Sequence, residues 1–342
     1  MARNEAGLVL LIMLLFVIYG LASMNQAFPE RAPEVTDGED VRMYRSVIER
    51  THNGEGYYEV VGDELGTRGY PTQPFLNWRL PTMSVIMGFF PSPVWGQWVL
   101  VVLGLVTLVW WFQVIDYESG FGYAMICSVL LCGHLLICLN EQGYFYHELW
   151  AGMLIAFSLA AHARQYIVVS LVAGVLATFI RELAFLYLLI MFAVAWNEKR
   201  NGEVLGWLGG ITIFSVALVY HASIVSGLVS SSHVTNESWI QFGGWSFVLS
   251  TGYWNAYLMA SPKWVLAVIL PLALVGLAGW RGPGVRSALV LAGYFSVFLI
   301  AGRANNTYWG LMYASLVPLG VTYAIPAVVD LVRTCMERTH HR

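Results

Sequence analysis

Apolar stretches about as long as a bilayer is thick recur along this chain, and that recurrence constrains everything else about it. A helix needs about 20 apolar residues to cross the hydrocarbon core. Runs approaching that length occupy residues 8–24, 92–114, 120–139, 148–163, 166–180, 183–196, 204–225, 263–280, 286–301 and 308–329. In lipid every backbone N–H and C=O must find a partner within the protein, which favours helices over open strands. The expectation is therefore an all-α, polytopic integral membrane protein of about ten transmembrane helices, organised as one domain over residues 1–342. The 342 residues are 58% hydrophobic and only 11% charged, whereas a soluble domain carries about a quarter charged residues. A net charge of −3 offers no electrostatic footprint for nucleic acid. Of the four cysteines, Cys127, Cys132 and Cys138 share one apolar run and Cys335 sits in the tail, which reads as small hydrophobes rather than a disulfide framework.

Orientation follows from the basic residues. The first run, after Met1-Ala2-Arg3-Asn4-Glu5, has the layout of a signal peptide. Ten crossings with both termini cytoplasmic place Arg3, Arg164, Lys199, Arg200, Arg281, Arg286, Arg333, Arg338 and Arg342 inside, so the run is expected to be a retained anchor. Outside the long first loop, where the positive-inside rule does not bind, only Arg181, Lys263 and Arg303 lie on the outer side. Nine inside against three outside supports this threading and marks the three as exceptions wanting a reason. Residues 166–196 are interrupted only by Arg181-Glu182; the stretch is expected to be a tight helical hairpin with that pair at its outer tip. Residues 226–262 carry Trp239, Trp245, Tyr253, Trp254 and Tyr257 among glycines, which suits a second outer loop with an interfacial or re-entrant helix.

The first outer loop, residues 25–91, is the one long polar interval. It holds ten of the 21 acidic residues and six of the 18 basic ones. With Asp37, Glu39 and Asp40 just after the first crossing and Arg79 before the second, the outer face also collects His147, Glu148, Arg181 and Arg303. A carboxylate there can take a proton from a hydroxyl nucleophile, while arginines hold a phosphate leaving group. That combination describes glycosyl transfer from a lipid-linked phosphosugar.

Asp40-Val41-Arg42-Met43-Tyr44, Gly54-Glu55-Gly56-Tyr57-Tyr58, Arg68-Gly69-Tyr70-Pro71 and Asn77-Trp78-Arg79-Leu80-Pro81 follow one anchor helix in that order. Over residues 8–90 this resembles the start of the GT-C superfamily, the polytopic glycosyltransferases that use polyprenyl-phosphate-linked sugars, including protein mannosyltransferases and lipid A aminoarabinose transferases. The resemblance implies a catalytic aspartate in the first outer loop, matched by Asp40 with Tyr44 at the family spacing. It implies a phosphate-binding role for Arg79, and a second acidic position at Glu148. It also implies an active face on the periplasmic or luminal side, in a bacterium the periplasmic side of the inner membrane. The family's usual Asp-Glu pair is absent, because Val41 follows Asp40 and Glu39 precedes it. Asp37 and Glu39 therefore stay as alternative acids.

Plainer readings stand beside these. The acidic trio caps a helix beginning near Val41; Arg181-Glu182 closes a hairpin; Arg303 snorkels. Arg181, Arg303, Tyr44 and His147 are taken with Arg79 as the substrate- and phosphate-binding set. His147 and Glu148 with Asp40 form a possible divalent-metal site, although no HExxH or CxxC spacing occurs. The implied partners are a polyprenyl-phosphate sugar donor, a hydroxyl acceptor on a glycan, lipid or protein, and the membrane lipid. The rival class is a transporter or flippase of an anionic or lipid-linked substrate, in which intramembrane charges mark the path. A membrane acyltransferase would instead use His134 or His221.

Overall fold

The computed structural model describes residues 3–28, 39–229 and 241–336. In chain order its principal helices are α1 (Arg3–Ala22), α2 (Glu39–His52), α3 (Tyr57–Thr67), α4 (Thr82–Gly88), α5 (Trp95–Ser119), α6 (Phe121–Cys138) and α7 (His147–Ala163). They continue with α8 (Ile167–Ile180), α9 (Phe185–Asn197), α10 (Asn201–Leu228), α11 (Gly244–Thr251), α12 (Trp264–Gly279), α13 (Pro283–Ile300) and α14 (Leu316–Met336). No strand occurs among the described residues. The protein is an all-α, polytopic membrane protein.

Each of the ten expected apolar segments contains one helix. Six, α1, α5, α6, α10, α13 and α14, are long and apolar enough to cross a membrane by themselves. The other four are shorter: α7 has 17 residues, α8 14, α9 13 and α12 16. At 1.5 Å per residue they span about 20–26 Å, less than the roughly 30 Å of hydrocarbon. The last segment also starts later than expected, because Ala304–Met312 winds as 3₁₀ turns kinked at Asn306 before α14 begins.

The chain divides into two compact units. The first comprises residues 1–32, 108–136 and 242–342. Its centre is the α12–α14 crossing, where Gly276 lies against the Gly320 carbonyl and Gly320 against the Ala273 carbonyl. Any Cβ at either position would overlap a backbone oxygen, and small residues are what permit such approach in membranes. At one end of these helices Trp280 stacks on Tyr323 with centroids 4.4 Å apart, and the Trp280 indole donates to Glu118 at 2.8 Å. The expected interfacial helix is α11, only 8 residues long and largely buried.

The second unit comprises residues 33–107 and 137–241. Its α7 is apolar all round and buried at every position but Phe157 and Ala163, the pattern of a helix enclosed by others. The hairpin expected at Arg181 is present. A continuous helix would separate residues 170 and 187 by about 25 Å, yet the Ser158 hydroxyl lies 2.6 Å from the Ser170 carbonyl and 2.7 Å from the Tyr187 hydroxyl. Arg181, in extended conformation, makes the reversal. The polar loop folds as α2, α3 and α4. Helix α2 buries Val41, Tyr44, Val47 and Ile48, an i, i+3, i+6, i+7 stripe along one helix face. Its far end is tied to α3 by Arg50, which reaches Glu55 and Asp63 at 2.6 Å each and Glu64 at 3.2 Å.

Candidate functional site

The second unit gathers most of the expected site residues around Tyr44. This side chain is 5% exposed, and its hydroxyl accepts from Arg79 Nη2 at 3.3 Å. Its ring meets the His147 ring edge-on, with centroids 4.8 Å apart. Burial raises the Tyr44 hydroxyl above its ordinary pKa; Arg79 and Arg181 pull it down, and Asp40 and Glu148 push it up. Those four charges are therefore within electrostatic reach of one phenol.

Asp40 lies in the first turn of α2, where a carboxylate is favoured by the helix dipole. It is half-buried, and the Tyr70 hydroxyl donates to its Oδ1 at 2.6 Å. Of the two alternative acids, Asp37 lies outside the described residues, and Glu39 contributes the backbone that opens α2. The helix thus starts two residues before the expected Val41.

Arg79 is held on both sides of its own peptide. The Tyr57 hydroxyl donates to the Arg79 carbonyl at 2.6 Å, and burial, with Glu182 adding to it, raises that phenol well above its ordinary pKa. The carbonyl before it, on Trp78, accepts from His221 Nε2 at 2.9 Å. Since Nε2 carries the proton, Nδ1 is the acceptor, and the Tyr58 hydroxyl 3.0 Å away donates to it. The guanidinium itself reaches the Leu76 carbonyl at 3.0 Å and Glu182 at 4.0 Å. His221 is thus a latch on the backbone, which accounts for it without the acyltransferase role.

Glu148 and Arg181 form the buried half of the cluster. Glu148 is fully buried and Arg181 3% exposed, and Nε stands 2.5 Å from Oε1. Arg181 also pairs with Glu182 at 3.0 Å, and Glu182 accepts from the Leu80 amide at 3.4 Å. Two arginines and two glutamates therefore alternate along a short chain, Glu148–Arg181–Glu182–Arg79. The Glu148 carboxylate faces Arg181, not open space, and acts through it. Among the described residues no three His, Cys, Asp or Glu side chains converge as metal ligands, and Glu148, committed to Arg181, does not join His147 and Asp40 in one.

The space left in this cluster is a cavity of about 20 Å³ bordered by Tyr44, Tyr57, Asn77, Arg79, Ser84 and His147, room for about one water. The cavity is small because α2 packs down on α3 and α4, whose Val61, Met83 and Met87 are buried. Arg303, the other expected phosphate ligand, belongs to the first unit, where its extended backbone opens the 3₁₀ turns. Lys263, also in the first unit, sits over the Phe28 ring with Nζ 4.8 Å from its centroid, which gives that outer cation a structural reason.

Sequence reasoning missed the parts played by Tyr57 and Tyr70 and the bridging place of Glu182, and named His221 only for a rival acyl transfer. Tyr57 and Tyr70 do lie in the quoted loop motifs, but hydrogen bonds spanning 22 and 30 residues leave no periodic trace. No family model, curated protein or solved structure matches this chain.

Proposed function

We propose that the protein is a membrane glycosyltransferase of the GT-C type. It moves a sugar from a polyprenyl-phosphate carrier to an acceptor hydroxyl on the periplasmic or luminal face. The observation that carries this reading is the grouping around Tyr44 of one half-buried carboxylate, Asp40, with two arginines, the half-buried Arg79 and the buried Arg181. Asp40 takes the proton of the acceptor hydroxyl as its oxygen attacks the anomeric carbon from the face opposite the phosphate. The new C–O bond forms as the bond to the phosphate oxygen breaks, and the electron pair leaves with the carrier phosphate, inverting the centre. Arg79 stabilises that charge, Tyr70 orients the base, and Glu148 with Glu182 sets Arg181. A sugar phosphate is far larger than the space beside Tyr44, so donor entry requires the Tyr44–Arg79 contact to part.

The test is transfer from radiolabelled polyprenyl-phosphate sugars by the purified protein, wild type against Asp40→Asn. The expected loss is about 10²–10⁴-fold in turnover, with carrier binding retained. Equal turnover would remove Asp40 as the base and pass the role to Glu39 or Asp37. No turnover by wild type with any donor, together with uptake or lipid exchange in proteoliposomes, would replace the reading with transport.

A further inference from the structure

The polar groups around the small cavity beside Tyr44 differ in one respect, which is whether their protons already have acceptors. The Tyr57 hydroxyl donates to the Arg79 carbonyl at 2.6 Å, and Asn77 Nδ2 to the Pro71 and Gln73 carbonyls at 2.8 and 2.9 Å. The Tyr44 and Ser84 hydroxyls border the same space, on side chains 5% and 4% exposed, and donate to nothing among the described residues. We infer that the cavity is the seat of one phosphoryl oxygen of an anionic ligand, held by the Tyr44 and Ser84 hydroxyls and the Arg79 guanidinium. Only the identification of that phosphate with the sugar carrier's rests on the proposed transfer.

Ser84 is the less expected of the two hydroxyls. It stands on the α4 face that packs against α2, beside the buried Met83 and Met87. A helical serine or threonine can satisfy its hydroxyl on the carbonyl four residues back, as Thr107, Ser128, Thr212 and Thr322 do at 2.7, 2.8, 2.8 and 2.8 Å. Ser84 makes no such bond, so its proton is left to the cavity. The Tyr44 hydroxyl uses only its acceptor side, and its 3.3 Å contact with Arg79 Nη2 is long for a hydrogen bond. An arriving anion replaces that contact: Arg79 turns to the anion, and Tyr44, no longer accepting, donates to it. A buried hydroxyl proton without an acceptor is unfavourable, and this fold keeps two at one cavity.

Size and charge narrow the ligand. About 20 Å³ has room for one oxygen, so the phosphorus and whatever it carries stay outside. The Glu148–Arg181–Glu182–Arg79 chain has as many negative as positive members, and Asp40 adds a further negative charge within reach of the phenol. That balance suits the single charge of a phosphodiester and disfavours a dianion.

The probe is dimethyl phosphate, a phosphodiester with neither lipid nor sugar, followed by phosphorus NMR line broadening on the full chain in phosphate-free maltoside micelles. A short-chain polyprenyl phosphodiester is the lipid arm and neutral trimethyl phosphate the control. Dimethyl phosphate is expected to bind and trimethyl phosphate to bind more weakly. Ser84→Ala should weaken dimethyl phosphate at least tenfold without lowering the thermal transition, since the hydroxyl it removes has no partner in the fold. Tyr44→Phe should also weaken it. No binding by wild type, equal binding of the neutral triester, or unchanged binding to Ser84→Ala would overturn the inference. Tighter binding to Tyr44→Phe would overturn it as well, by showing that the phenol blocks Arg79 instead of serving the anion. Binding of dimethyl phosphate without the lipid arm would keep the seat and remove the carrier from it. Because the readout needs no turnover, it can fail while Asp40-dependent transfer persists, and it can succeed where no sugar is transferred.

Discussion

Removing Arg181 should cost more than removing its partner Glu148, although the two face each other across one contact. Glu148 is fully buried, and beyond Arg181 its carboxylate oxygens have no hydrogen-bond partner among the described residues. Arg181, in contrast, keeps Glu182 at 3.0 Å when Glu148 is neutralised. Arg181→Met therefore leaves an uncompensated buried charge, a loss of about 3–5 kcal/mol. Glu148→Gln keeps the shape and leaves the guanidinium one carboxylate, a loss of about 1–3 kcal/mol for a buried charged contact. In the double variant the stranded carboxylate is gone, so its loss should fall below the sum of the singles, with a coupling of about 1–3 kcal/mol. The assay is reversible unfolding of the four proteins in mixed micelles by titration with a denaturing detergent, read by tryptophan fluorescence. Losses in the reverse order, or additive within about 0.5 kcal/mol, would refute the claim that Glu148 depends on Arg181 as its counter-charge.

Three further outcomes follow from the same geometry. Tyr70→Phe removes the 2.6 Å hydrogen bond to Asp40 and should lower turnover about tenfold, the equivalent of about 1.4 kcal/mol, without weakening carrier binding; unchanged turnover would show that Asp40 needs no orienting partner. The α2–α3 clamp should loosen in acid. The Arg50 hydrogen bond holds the Glu55 carboxyl below its ordinary value, and burial raises that of Glu64 less than Ser46, Arg68 and Arg50 together lower it. Depressed carboxylates contribute stability above the unfolded-state value of about 4.3, and that stability is lost as pH falls through the folded-state value. Protection of the amides in residues 46–67, measured as hydrogen exchange relative to its intrinsic rate at each pH, should therefore fall below about pH 4.3, and a loss of protection on raising the pH instead would reverse the sign of the argument. Gly276→Ala puts a methyl group onto the Gly320 carbonyl; overpacking of this kind costs about 1–3 kcal/mol, measurable as a lowered thermal transition, whereas Gly209→Ala, which meets nothing within 4 Å, should be silent.

How far the sequence reveals this arrangement depends on the kind of interaction. Apolar runs betray helices because burial in lipid is a local property of each segment, and all ten segments contain one. The stripe Val41, Tyr44, Val47, Ile48 is equally local. The Arg181 reversal was readable because the 31 residues 166–196, interrupted by Arg181-Glu182, are too many for one crossing. Helix lengths were less readable: α7, α8, α9 and α12 stop at 17, 14, 13 and 16 residues with no side-chain cap at their first turns to mark the boundary. Least readable was the partner of each charge. Glu148 and Arg181 are 33 residues apart in sequence, and their separate places on the outer side gave no sign that one neutralises the other.

The second unit also explains why its charges come as two groups rather than one. At the Arg181 end of α7 stands the Glu148–Arg181–Glu182–Arg79 chain. At its other end His162 meets Glu203 at 3.0 Å, and Glu203 pairs with Arg200 as well. Each group joins the end of one helix to the start of another: α7 to the α8–α9 turn in the first case, α7 to the start of α10 in the second. Along its sides α7 packs mostly through dispersion, which is indifferent to a slide of one turn, with the Ser158 hydroxyl at the Ser170 carbonyl and the Tyr187 hydroxyl as a directional contact between its ends. Ion pairs at both ends fix its register, because a shift of 1.5 Å per residue would separate pairs that depend on contacts near 3 Å. The same pairing that locates the helix keeps Arg181 turned toward Tyr44, and the site inherits its geometry from the device that holds the unit in register.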